Sequence, residues 1–145
     1  MIRELRATDK AAWAALWRDY LAFYQSVLPE EVYETTWRRL LDPAEPVWGA
    51  LAVDEAGVPV GLTHFIYHRT AWAIAETCYL QDLFVAPAVR GGGHGRGLIG
   101  HVADRARAHG ATRLYWLTHE DNAAARQLYD AVAQRSGFIQ YRQPL

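Results

Sequence analysis

The sequence predicts one α/β domain of the α+β type built on a mixed sheet, and three observations carry that prediction. The chain has 145 residues, 51% of them hydrophobic, which is enough for one domain, residues 1–145, with a core of its own. Apolar residues recur at helical spacing in some segments and fill short strand-like runs in others. The resulting order is strand, two helices, three strands, helix, strand, helix and strand, with no internal repeat or linker.

The elements follow in turn. Residues 2–5 read as a short strand, and Thr8 or Asp9 can cap the helix after it. In that helix Trp13, Leu16, Trp17, Tyr20, Leu21 and Tyr24 share one face. Pro29 starts a second helix, with Glu30 and Glu31 favourable in its first turn, running to about Leu41. Residues 47–54 and 58–68 read as strands joined by the turn Glu55-Ala56-Gly57, and residues 77–85 as a third. A helix pattern in Leu98, Ile99, Val102 and Ala106 ends near Gly110. Residues 112–118 read as a strand. The stretch 119–122 holds a cap for the last helix, whose face is Ala125, Leu128, Tyr129 and Val132. Gly137 stops that helix, and residues 138–142 close the chain as a strand.

Composition narrows the function. Fifteen basic residues against sixteen acidic ones give no basic field, which argues against nucleic-acid binding. Cys78 is the only cysteine, so no intrachain disulfide forms and the reading is intracellular, hence cytoplasmic. The charged N-terminus has no apolar signal region, and no run approaches the roughly 20 apolar residues of a membrane helix. His64 and His68 are four apart, but in a strand they stand about 13 Å from each other, too far to share an ion. No metal is expected.

Six of the eleven glycines crowd into residues 91–100, after a strand and at the start of a helix. The first N–H groups of a helix lack internal partners and the dipole there favours negative charge, so this is an anion site. Glycine lets the main chain approach closely, and Arg90 and Arg96 add phosphate donors. No Walker lysine pattern is present. Gly95, Gly97 and Gly100 satisfy G-x-G-x-x-G, but they lie too far past Val85 for a dinucleotide loop, and Gly97 and Gly100 already fall within the helix.

Val85, Pro87, Arg90, Gly91, Gly93 and Gly95 together form a V-x-P-x-x-R-G-x-G-x-G motif. It resembles the pyrophosphate-binding motif of the GNAT superfamily of acyl-CoA N-acyltransferases. Asn122, Ala125, Leu128, Tyr129, Gly137 and Phe138 resemble a second block of that family. The resemblance spans essentially the whole chain and comes nearest the small branch that acetylates polyamines and amino acids. It implies a mostly antiparallel central sheet with about four helices, acetyl-CoA as co-substrate, and a small-molecule primary amine as acceptor. It implies main-chain binding of the thioester arm by Leu83, Phe84 and Val85. The pyrophosphate would lie on Arg90, Gly91, Gly92, Gly93, His94, Gly95 and Arg96, with Asn122 and Ala125 also at the donor. Tyr129 matches the tyrosine that protonates the leaving thiolate.

The branch often carries a glutamate where this chain has Gln81, so the base is open among Asp82, Glu76, His119 and Glu120. Asp82 ranks first because it lies on the site strand, with Tyr129 the second catalytic residue. Tyr24, Glu31, Gln81 and Trp116, with Tyr20, are the candidate acceptor contacts. A homodimer is expected from the resemblance and from the apolar C-terminal strand. A protein-tail acetyltransferase and a non-catalytic acyl-CoA-binding domain are the alternatives.

Overall fold

The first strand, β1 (Ile2–Glu4), lies along β2 (Val47–Val53), which pairs with β3 (Pro59–His68), which in turn pairs with β4 (Thr77–Val85). All three pairings are antiparallel, and β5 (Leu114–Tyr115) joins the far edge of β4 in parallel. The structure, a computed structural model, describes residues 1–145. No helix is long and apolar enough to cross a membrane.

Helices α1 (Lys10–Phe23) and α2 (Glu30–Leu40) cover one face of the sheet. The expected apolar face of α1 buries Trp13, Leu16 and Trp17, and α2 adds Tyr33 and Trp37, against Leu51, Leu62 and Phe84. Helix α3 (His94–His109) covers the other face, where Leu80, Cys78 and Phe65 meet Ile99 and Val102. Helix α4 (Ala123–Val132) lays Leu128, Tyr129 and Val132 on that second core. The mostly antiparallel sheet with four helices is the expected architecture.

Asp9 stands at the N-cap of α1, but its carboxylate does not cap the helix. It accepts two hydrogen bonds from Arg3, at 2.7 and 2.9 Å, and one from the Arg6 amide.

One irregularity decides which residues reach the site. In the β3–β4 register His64 faces Asp82, yet Phe65 faces Leu80, so Gln81 is an extra, bulged residue. Side chains alternate along a strand, so Leu80 and Asp82 would otherwise share a face. The bulge sends Leu80 into the α3 core and turns Asp82 to the α1 side.

Three expectations for the C-terminal part are corrected. The strand over residues 112–118 shrinks to Leu114–Tyr115, and residues 133–145 form no helix or strand. A strand is held by hydrogen bonds to a neighbour, and a two-residue β5 offers almost none. Helix α4 ends at Val132, and Ala133 is already extended, so Gly137 is not its stop.

Candidate active site

The end of β4 is open on one side. Only Cys78 and Tyr79 pair with β5, opposite Leu114 and Tyr115, so from Leu80 onward that edge has no strand neighbour. On the other edge the Ala86 amide donates to Val60 at 2.8 Å. Donors alternate in an antiparallel ladder, so the Phe84 N–H points to β3 while those of Leu83 and Val85 point into the gap. This corrects the expectation for Phe84. Its amide is spent in the sheet, and its buried ring packs near Tyr20.

The glycine loop follows directly. Gly91 and Gly93 have φ of +83° and +84°, a region that disfavours any Cβ, and a side chain at either would meet nothing within 4 Å. The space above them is free for a ligand. Gly93 is the N-cap of α3 and supplies no side-chain cap, and the Gly97 amide donates to Gly93 at 2.9 Å. The first amides of the 16-residue α3 therefore face outward with the positive end of its dipole. His94 and Arg96 start that helix, and Gly92 stands just ahead of it. Gly95 and Gly97 have other work: a Cβ at Gly95 would stand 3.3 Å from Leu128, and one at Gly97 3.4 Å from Ile2. Both let α3 pack closely. Arg90 folds back, its Nε donating to the Val85 carbonyl at 3.0 Å, with the guanidinium 6.0 Å from the Phe23 and Phe84 rings.

Beside the gap, on the α1 face, lies a hydrogen-bonded chain of buried side chains. Trp13 Nε1 donates to His64 Nε2 at 2.9 Å, and His64 Nδ1 lies 3.0 Å from Asp82 Oδ2. Tyr20 stands near the Asp82 carboxylate, and burial and that carboxylate together raise the Tyr20 phenol above its ordinary range. Tyr24 packs edge-on against Tyr20 at 5.0 Å and tilted against His119 at 5.5 Å. Asp82 touches no lysine or arginine side chain.

Tyr129 approaches from α4, edge-on to Trp116 at 5.5 Å. Burial, and then the nearby Tyr24 phenol, push the Tyr129 hydroxyl up to about 12. Burial and then the Asp82 charge raise the Tyr24 phenol. An open cleft of about 420 Å³ is bounded by Phe23, Tyr24, Gln25, His119, Asp121 and Asn122. Asn122 is the N-cap of α4, and Ala125 lies half-buried in its first turn.

Other expected residues fall outside this arrangement. Glu76, just before β4, pairs with His109 at 3.0 Å at the far end of α3. Glu120 is exposed and faces Arg135 at 3.8 Å. Glu31 is exposed on the first turn of α2 and takes no hydrogen bond. Gln81 is exposed, because the bulge turns it away from the core. His68 binds the Tyr115 hydroxyl at 2.8 Å, so the two β3 histidines serve different partners. No three His, Cys, Asp or Glu side chains lie close enough together to hold a metal ion.

A splayed β4–β5 pair beside a glycine-capped helix is a frame for a phosphate-bearing thioester. Comparison with known proteins agrees: the model of the Acetyltransferase (GNAT) family matches residues 13–133. The chain belongs to the GNAT family. It is an acetyl-CoA-dependent N-acetyltransferase by that membership. It is 38% identical to a D-amino-acid N-acetyltransferase of Saccharomyces cerevisiae, over 98% of this chain and 89% of that one. It is 30% identical to an uncharacterized N-acetyltransferase of Bacillus subtilis, over 97% and 94%. Among solved structures, a probable acetyltransferase superposes with a TM-score of 0.87 at 22% identity, covering 100% of this chain and 97% of that one. AAC(6')-Iy with the bisubstrate analog CoA-S-monomethyl-acetylneamine superposes at 0.84 and 19%, covering 100% and 98%. These two establish the fold.

Sequence reasoning missed the partners of Asp82 in this N-acetyltransferase. Trp13 read as one of several apolar helix residues, and His64 was weighed only as a metal ligand. The one local signal was a histidine amid the apolar run of β3.

Proposed function

We propose that the protein moves the acetyl group of acetyl-CoA to the primary amine of a small molecule, an amino acid or a similar compound such as a polyamine. The observation that carries this is Asp82: a buried carboxylate with no cationic partner, on the strand whose open edge offers the Leu83 and Val85 amides. A buried carboxylate whose partners are neutral donors keeps its full negative charge, and an ammonium group meets that charge. Relatives whose names specify D-amino acids, L-2,4-diaminobutyric acid and thialysine support a small amino-acid-like acceptor.

In this reading Leu83 and Val85 hold the thioester arm through their main-chain N–H groups. Gly91 to Gly93, His94, Gly95 and Arg96 hold the pyrophosphate at the start of α3, and Arg90 joins them by releasing Val85. Asn122 and Ala125 border the same groove. Asp82 receives the ammonium group, with Tyr20 and Tyr24 around it. The ammonium group first gives one proton to Asp82, which frees the nitrogen lone pair. The neutral nitrogen then attacks the carbonyl carbon, a C–N bond forms, the C–S bond breaks, and the nitrogen's second proton goes by way of solvent to the departing thiolate. Tyr129 faces the departing sulfur. A phenol at about 12 is a much weaker acid than a thiol near its ordinary 8.5. Tyr129 donates a hydrogen bond to the developing thiolate, and its raised phenol makes full proton transfer to the sulfur the costlier course.

We also propose a homodimer, supported by the free edge of β5 and by a C-terminal segment that exposes Phe138, Ile139 and Tyr141. A monomer in sedimentation at micromolar concentration would refute it.

The test of the activity is release of coenzyme A, read as free thiol, from acetyl-CoA against polyamines, lysine analogues, both enantiomers of several amino acids, and a basic peptide. Turnover with a small amine is expected. Turnover with the peptide alone would overturn the small-molecule reading, and silence across the panel with acetyl-CoA bound would overturn the enzyme reading.

A further inference from the structure

We propose that His64 is a positioning residue for Asp82, and that Trp13 fixes the tautomer in which it acts. This deepens the reading above and rests on Asp82 as the group that receives the amine.

The argument is one of donors and acceptors. An indole nitrogen only donates. With Trp13 Nε1 2.9 Å from His64 Nε2, that ring nitrogen must present its lone pair, so the imidazole proton sits on Nδ1. Nδ1 is 3.0 Å from Asp82 Oδ2 and donates to it. The other tautomer would set two N–H groups against each other and aim a lone pair at a carboxylate oxygen. A doubly protonated ring would keep the first of these clashes. Solvent cannot relieve either, because Trp13, His64 and Asp82 are 1%, 3% and 7% exposed. The Trp17 ring, edge-on to His64 at 4.8 Å, closes the site from another side.

Asp82 thereby gains a fixed donor without gaining a cation. His64 locks the carboxylate in one orientation and leaves its full charge for the incoming ammonium group. A lysine or arginine in that place would hold the carboxylate equally well and cancel the charge the acceptor needs.

Two near-isosteric substitutions separate the halves of the chain. His64→Asn places an amide near the old Nδ1, where it still donates to Asp82 but cannot reach Trp13. His64→Gln places its amide near the old Nε2, where it accepts from Trp13 but gives Asp82 nothing. We expect His64→Asn to lose thermal stability through the unpaired indole N–H and to keep most of kcat/KM for the amine. His64→Gln should fall roughly 10- to 100-fold in kcat/KM, the usual worth of a hydrogen bond to a charged group. Equal losses, or a greater loss in His64→Asn, would overturn the assignment, since a merely structural histidine predicts no such split. The nitrogen-15 imidazole spectrum of the intact wild-type protein should show the Nδ1–H tautomer; an Nε2–H or doubly protonated ring overturns the proposal without reference to activity. Asp82→Asn separates the two readings. If it acetylates as well as wild type, the role of Asp82 falls and that of His64 with it; if it is impaired while the two His64 variants match each other, only His64 falls.

Discussion

The proposed donor side of the site, residues 83–96, works through main chain and glycine, whereas the proposed acceptor side works through side chains. Leu83 and Val85 present N–H groups to the β4–β5 gap, and the glycines clear space before α3. Asp82, by contrast, is held by His64, and His64 by Trp13. Those residues come from α1, β3 and β4. The donor side binds a group that is the same in every turnover, and main-chain donors suit any such pyrophosphate. The acceptor side must tell one amine from another, which takes side chains of particular shape and charge.

The contrast breaks first at Asp82. Asp82→Asn should lower kcat/KM for the amine by about 100-fold or more, within the range of a positioned proton acceptor, while the KM for acetyl-CoA stays the same. Steady-state kinetics with each substrate varied in turn will show it. An equal rise in both KM values would mean that the two sides are not separate.

Next comes Tyr129→Phe, which removes a hydrogen bond to a developing anion and should lower kcat by roughly 10- to 100-fold. Because the phenol keeps its proton well past neutrality, the wild-type rate should show no tyrosine ionisation between pH 7 and 9. Unchanged turnover in the variant would remove Tyr129 from the chemistry.

A smaller effect sharpens the donor side. Gly93→Ala meets no neighbouring atom but must hold an alanine at φ +84°, a strain of about 1–2 kcal/mol. Calorimetry should show weaker acetyl-CoA binding, by up to about tenfold. Gly95→Ala keeps helical backbone and instead presses on Leu128 from 3.3 Å, so it should move Tm more than affinity.

The least specific effect is on stability in alkali. Burial first, with nearby negative groups, raises the phenols of Tyr20, Tyr67 and Tyr129, and burial raises the Cys78 thiol. Groups raised on folding keep their full contribution below the unfolded pKa, about 10 for tyrosine and 8.5 for cysteine. That contribution is lost as pH climbs from there toward the folded values. Denaturant midpoints should therefore fall between about pH 9 and 11. A flat profile would contradict the burial of these groups.

The contrast also explains what could be read early. Strand β4 at 77–85, the start of α3 in the glycines and the family motifs were all visible, because each lies in one contiguous stretch. Gly95 has a second duty that its motif spacing did not show: only the packing of α4 reveals Leu128 3.3 Å from where a Cβ would stand. The C-terminal strand was misread because an apolar alternating run has strand character, while a strand forms only where a partner edge exists.

By itself the sequence determined the architecture and marked a glycine-rich helix start, since periodicity, helix dipoles and glycine conformations act over a few residues; the candidate tyrosine came from the family motif. The tertiary structure decided the rest. A single bulged residue at Gln81 sets which face of β4 carries Asp82. Close packing across 51 positions brings Trp13 to His64, and across 18 brings His64 to Asp82. Hydrogen bonds between side chains so far apart depend on the register of β3 on β4 and the seating of α1, which no local pattern encodes.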